Sequence, residues 1–104
     1  MIVVTTEQIP GKEIKDVIGV LSGGTVQSKN IGKDIGAGLK GLVGGEMKSY
    51  TAMMEEARDI ALQRLIDKAS KSGANAVVGM RFMTSSIIQG ASEVIAYGTA
   101  VVVE

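Results

Sequence analysis

From Glu46 to Lys71 the apolar residues recur at helical spacing, and the segment then passes through Ser72-Gly73-Ala74-Asn75 into Ala76-Val77-Val78-Gly79. Met47, Tyr50, Met54, Ala57, Ala61 and Leu65 form one stripe. Met53, Ile60, Leu62, Ile66 and Ala69 widen it, while Glu55, Glu56, Arg58, Asp59, Gln63 and Lys68 supply the polar remainder. Lys68 and Lys71 suit the negative end of a helix dipole, and Gly73 suits a left-handed cap. Charge pairing does not stabilise this segment, because Arg64 and Lys68 are like charges four residues apart. The expectation is a helix of about 26 residues, roughly 39 Å long, handing over directly to a strand.

The chain has 104 residues, which predicts a single domain over 1–104 with one core. Ile2 to Thr5 is a short β-prone piece, and Ile9-Pro10-Gly11 breaks the chain in a turn. Glu13 to Val26 reads as a strand in which Gly19, Gly23 and Gly24 mark a bulge or bend. Ile35, Leu39, Leu42 and Val43 have the spacing of a short helix, against the cost of Gly36, Gly38 and Gly41, about 1 kcal/mol each. Ala76 to Ile88 and Ser92 to Val103 read as an antiparallel hairpin turning at Gln89-Gly90.

Both faces of that sheet are apolar. Ala76, Val78, Met80 and Phe82 are expected on one side, with Val77 and Met83 on the other. On the last strand Val94, Ala96, Ala100 and Val102 oppose Ile95, Tyr97, Val101 and Val103. One helix covers one face, so a second subunit is the simplest cover for the other.

Composition excludes several functions. Eleven basic and eleven acidic residues balance without a block of either sign, which removes the footprint of a nucleic-acid or anionic-membrane binder. Tyr50, Phe82 and Tyr97 are the only aromatics, too few for a base- or sugar-stacking platform. No segment approaches the roughly 20 apolar residues of a membrane span. Met1-Ile2-Val3-Val4 turns polar at Thr5, unlike a signal peptide, and the expected location is the cytoplasm. Without cysteine or histidine there is no thiol chemistry, no ordinary zinc site, and no base to activate Thr5, Thr6, Ser85 or Ser86.

Four features bear on binding. Gly36-Ala37-Gly38-Leu39-Lys40-Gly41 matches the letters of a dinucleotide fingerprint, but Gly36 does not end a buried strand, and helix packing explains the glycines better. Gly44-Gly45 before the helix leaves amides that Glu46 itself neutralises, or that could hold an anion. The methionines at core spacing read as filler rather than soft ligands. Glu55, Glu56, Arg58 and Asp59 are the densest ionisable cluster, with Arg81 on a strand expected to face it. Adjacent Glu55 and Glu56 point about 100° apart, so they are no catalytic dyad.

Thr5-Thr6 with Ile9-Pro10-Gly11, Gly44-Gly45-Glu46 with Tyr50, Glu55-Glu56-Ala57-Arg58, Gly73 to Gly79 with Arg81-Phe82, and Tyr97-Gly98-Thr99-Ala100-Val101 together resemble the YbjQ-like family. This is a group of uncharacterised small proteins labelled heavy-metal-binding, and the likeness spans essentially the whole chain. The resemblance implies an α+β fold of β-α-β-β type, a two-layer sandwich of one antiparallel sheet and a long helix, similar to a dodecin subunit. It also implies a ring of five chains. The resulting expectation is a non-enzymatic homo-oligomer, a pentamer by preference, binding a small ligand or ion with no cofactor assigned. Metal sequestration through carboxylates and methionines is the alternative, and an enzyme of unknown reaction the third. Glu46, Tyr50, Glu55, Arg58, Asn75 and Arg81 are the candidate ligand or interface residues, and no tight zinc or copper(II) site is expected within one subunit.

Overall fold

The computed structural model describes residues 1–28 and 45–104, and the side chains of all of these except 45–48. The elements run β1 (Ile2–Val3), β2 (Ile14–Ser28), α1 (Gly45–Lys71), β3 (Ala76–Ile88) and β4 (Ala91–Val103). The small helix expected around Ile35 to Val43 lies outside the described residues.

The strands form one sheet in the order β1-β3-β4-β2. The three long strands are antiparallel neighbours, as the hairpin pattern requires, while β1 joins the outer edge of β3 in parallel and makes the sheet mixed. With α1 packed on one side this is an α+β fold in two layers.

The helix meets the sheet through Ala57, Ala61, Leu65 and Ala69, all fully buried and each four residues from the next. Three of these four are alanine, so the helix backbone comes close to the strands. It rides over β2 and β4 and scarcely touches β3. At Gly23 the approach is closest: a Cβ there would meet the Leu65 amide nitrogen and come within 2.6 Å of the Ala61 carbonyl oxygen. The expected bend at Gly23 and Gly24 is therefore corrected. The β2–β4 register runs unbroken through both, and the irregularities sit between Ile14 and Asp16 and between Val17 and Gly19. Gly23 serves close approach, not curvature. At its far end α1 closes as its sequence requires, with the Ala74 amide on the Ala69 carbonyl (3.1 Å) and the Gly73 amide on Ser70 (3.2 Å).

One glycine rearranges β3. Gly79 adopts φ 62°, and the pairing slips between Val78 and Arg81, which inserts one extra residue there. Because side chains alternate with period two, every residue beyond the bulge changes face. Met80 joins the helix-side core instead of lying with Ala76 and Val78. Phe82, opposite Ala96, follows it to the helix side, while Arg81 and Met83, opposite Tyr97 and Ile95, turn to the far side. The assignments on β4 hold, with Val94, Ala96 and Ala100 under the helix and Val101 and Val103 beneath the sheet.

The far face is only half covered. Ile2, Val4, Ile9 and Ile14 close over Ala76, Val78, Val101 and Val103 at one end. Towards the hairpin the face is bare: Val20 is 76% exposed, Val26 56% and Met83 52%.

Candidate functional site

Among the described residues, several polar side chains tie separate parts of the chain together. Near the start of α1 the Tyr50 hydroxyl lies 2.9 Å from Ser92 Oγ. Ser92 stands between Gln27 on β2 and Ser86 on β3, and Gln27 Nε2 donates to Thr25 Oγ1 at 3.3 Å. Ser92 and Thr25 are buried, and no buried side-chain polar atom among the described residues lacks a partner. This neutral group can fix the helix start over the hairpin by hydrogen bonding. It offers no base.

Asn75 acts as a peptide mimic at the opposite end. Its Oδ1 accepts from the Val103 amide and its Nδ2 donates to the Val103 carbonyl, both at 2.8 Å. Both amide functions are thus committed to closing the sheet rather than offered to a ligand. Asn75→Ala should lower stability by about 1–2 kcal/mol, two modest hydrogen bonds. That corresponds to a melting temperature lower by roughly 5–10 °C. A thermal melt within a degree of the parent would contradict this role.

Arg81 holds the N-terminal segment. Its Nη1 donates to the Thr5 carbonyl at 2.8 Å and to the Met80 carbonyl at 2.9 Å. Beside it the bulge releases the Gly79 and Met80 amides to Thr6 and Val4. The sequence expectation that Arg81 faces Glu55 and Arg58 is corrected: they sit on opposite sides of the sheet, because the bulge at Gly79 turned Arg81 over. Glu55 is exposed and Arg58 half-buried on α1, and the Glu46 side chain lies outside the described residues. One subunit therefore does not gather Arg81 with Glu55 and Arg58.

A fourth pair escaped the sequence reading. Arg64 Nη1 donates to the Gly24 carbonyl at 2.6 Å and Lys68 Nζ to the Ser22 carbonyl at 2.7 Å. Their i, i+4 spacing places two cations on one flank of the helix, and carbonyls two apart on an edge strand supply their acceptors. The pair of like charges was the available signal, legible only once β2 is known to be an edge.

An open groove of roughly 630 Å³ lies inside the N-terminal loop, lined by Thr6, Gln8, Ile9, Pro10, Lys12 and Ile14 among others. Its charged lining residues are Lys12 and Glu13. Among the described residues the methionines are divided between the two faces: Met80 is in the helix-side core with Met54 packed against that core, and Met83 is on the far face. Among the described residues no three acidic side chains come together. With neither imidazole nor thiolate in the chain, the donors among the described residues do not fit a resident borderline ion such as zinc within one subunit.

The chain is 60% identical over 101 residues to a UPF0145 protein of Vibrio parahaemolyticus serotype O3:K6, covering 97% of this chain and 96% of that one. A UPF0145 protein of Clostridium perfringens is 59% identical over 104 residues, covering 100% and 98%. One of Thermotoga petrophila is 55% identical over the same length, with the same coverage. Among solved structures the fold is similar to a Pediococcus pentosaceus protein of unknown function from the DUF74 family. That likeness has a TM-score of 0.62 and 20% identity, and covers 100% of this chain and 98% of that one. A family model described as "Putative heavy-metal-binding" matches residues 1–104, and the chain belongs to that family, YbjQ.

Proposed function

We propose that the protein is a non-enzymatic, ring-forming homo-oligomer, five chains by the family resemblance, that holds a small ligand or ion between its subunits. The observation that carries this reading is the bare half of the far sheet face, where Val20 is 76% exposed, Val26 56% and Met83 52%. A contiguous apolar surface of this kind is buried by association. Tyr97 and Ile95 lie on the same face of β4, Ile95 directly beside Met83, and Ser22, Arg81 and Glu93 share that face with them.

The absence of catalysis is supported by the polar groups themselves. Tyr50, Asn75 and Arg81 each spend their hydrogen bonds on the protein, and the hydroxyls lie in a chain with no imidazole or thiolate to activate them. On this reading the ligand site comes from groups repeated around an assembly, such as one carboxylate per chain. Native mass spectrometry of the purified protein tests this. The expected spectrum shows the assembly plus a bound species in less than one copy per chain. A bare assembly that takes up no ion or small molecule would refute the ligand part. One tight zinc or copper(II) ion per chain would refute the site's shared character.

A further inference from the structure

The two lateral sides of the sheet differ in a way that decides how copies meet. On one side, β1 and the segment after it bond to β3 only as far as Met80. Beyond Met80 the outer edge of β3 has no strand neighbour among the described residues. Arg81, Met83 and Ser85 stand opposite Tyr97, Ile95 and Glu93. On β2, Ser22 and Gly24 turn their carbonyls outward to Lys68 and Arg64, so the alternate residues of β4 pair inward with β2. By that alternation the peptide groups of Phe82, Thr84 and Ser86 point out of the sheet. From Phe82 to Ile88 the edge carries neither charge nor proline, a kind of edge that proteins normally block or pair.

The helix layer is displaced toward the opposite side. Because α1 rides over β2 and β4, the helix side of β3 is left as a ledge on which Phe82 is 40% exposed. Met53 and Ile60 lie on the same flank of α1 as Arg64, at spacings of seven and four, and that flank reaches the β2 edge. Both are half-buried. One side of the subunit thus has an apolar roof that reaches the edge of the sheet beneath it, and the other has an apolar ledge without a roof.

We infer that the β3 edge of one copy, Arg81 to Ile88, pairs with the β2 edge of a second copy, whose α1 flank then covers Phe82. This rests on the self-assembly proposed above and names its contact. β2 and β3 run the same way, both being antiparallel to β4, so a head-to-tail repeat pairs them in parallel. A helix about 10–12 Å across then roofs its own β4 and β2 and the neighbour's β3, three strands spaced about 4.8 Å apart. On the far face, Val20 and Val26 continue into the neighbour's Met83. Arg64 and Lys68 hold two edge acceptors in the free subunit, and the neighbour's amides replace them. A contact between two different sides repeats in one sense, and it closes into the proposed ring where the rotation per copy closes rather than extending as a filament.

Proline at an outward position removes an edge donor without touching the ladder to β4. Thr84→Pro and Val26→Pro should each abolish assembly in sedimentation while keeping the circular dichroism of a folded chain. Thr84→Ala and Val26→Ala should assemble normally. Mixing the two proline variants should give a two-chain complex and nothing larger, since only one intact edge of each kind remains. A fully assembled Thr84→Pro protein would overturn the inference, as would dissociation of Thr84→Pro with an unaffected Val26→Pro, which would mean that β3 pairs with itself. Amide exchange in the unmodified assembly reads the same point if a variant fails to fold: Thr84 and Ser86 should be protected at least tenfold over an open edge, and free exchange there overturns the pairing. A monomeric unmodified protein would instead refute the proposed self-assembly.

Discussion

Gly23→Ala is expected to cost the protein most of its stability, while Gly24→Ala one residue away should be nearly silent. A Cβ at position 23 points into α1 and meets main-chain atoms: the Leu65 nitrogen, the Ala61 carbonyl oxygen at 2.6 Å and the Arg64 carbonyl carbon at 2.7 Å. Flexible side chains can move aside, whereas a helix backbone moves only as a body. Lifting it separates Ala57, Ala61 and Ala69 from the sheet, because a methyl group has no reach to maintain contact. Overpacking ordinarily costs about 1–3 kcal/mol, and a clash between two backbones belongs at or above that upper limit. At fixed protein concentration the melting temperature should fall by about 12 °C or more. At Gly24 the added carbon would find Ile95 Cγ1 at 3.4 Å and the Val94 oxygen at 3.5 Å, ordinary contacts. Equal melting temperatures for the two variants would show that the helix does not sit where it is described.

Leu65→Ala should be the most damaging truncation on the helix. Leu65 is fully buried, and the other fully buried residues of the helix, Ala57, Ala61 and Ala69, have nothing to extend into the space it would leave. Leucine-to-alanine changes in cores cost about 2–5 kcal/mol, rising with the cavity that persists. The upper half of that range applies here. Ile66→Ala, on the half-buried side of the same turn, removes as much carbon and should cost clearly less. Chemical denaturation of the two variants separates them, and a loss below about 1 kcal/mol for Leu65→Ala contradicts the packing.

The long elements were legible because their periodicities are clean. Helical spacing from Met47 to Leu65 and the cap at Gly73 place α1 within one residue of Gly45–Lys71, and the apolar run from Ala76 bounds β3 as observed. What failed was register. A period-two reading carries Arg81 to the helix side, and a single glycine bulge reverses it. Nothing in the residues around Gly79 distinguishes a glycine that bulges from one that merely interrupts, as Gly23 and Gly79 together illustrate. Both occupy strands, and only the neighbouring helix shows that one serves contact and the other conformation.

The candidate site was less legible for a related reason. Asn75 and Tyr50 look available in sequence, yet each is engaged by a partner more than 25 residues away, Val103 and Ser92 respectively. Arg64 and Lys68 look like ordinary surface charge until β2 proves to be an edge strand with two carbonyls to offer. The two apolar sheet faces, by contrast, were visible in the alternation of β4 alone, because that strand contains no bulge in its central half.

Sedimentation equilibrium of the unmodified protein at micromolar concentration is the most direct test of the self-assembly on which the functional reading depends. The expected result is a single species several times the mass of the 10.8 kDa chain, five times for the pentamer, persisting on dilution. A chain that sediments as a monomer across that range would contradict it.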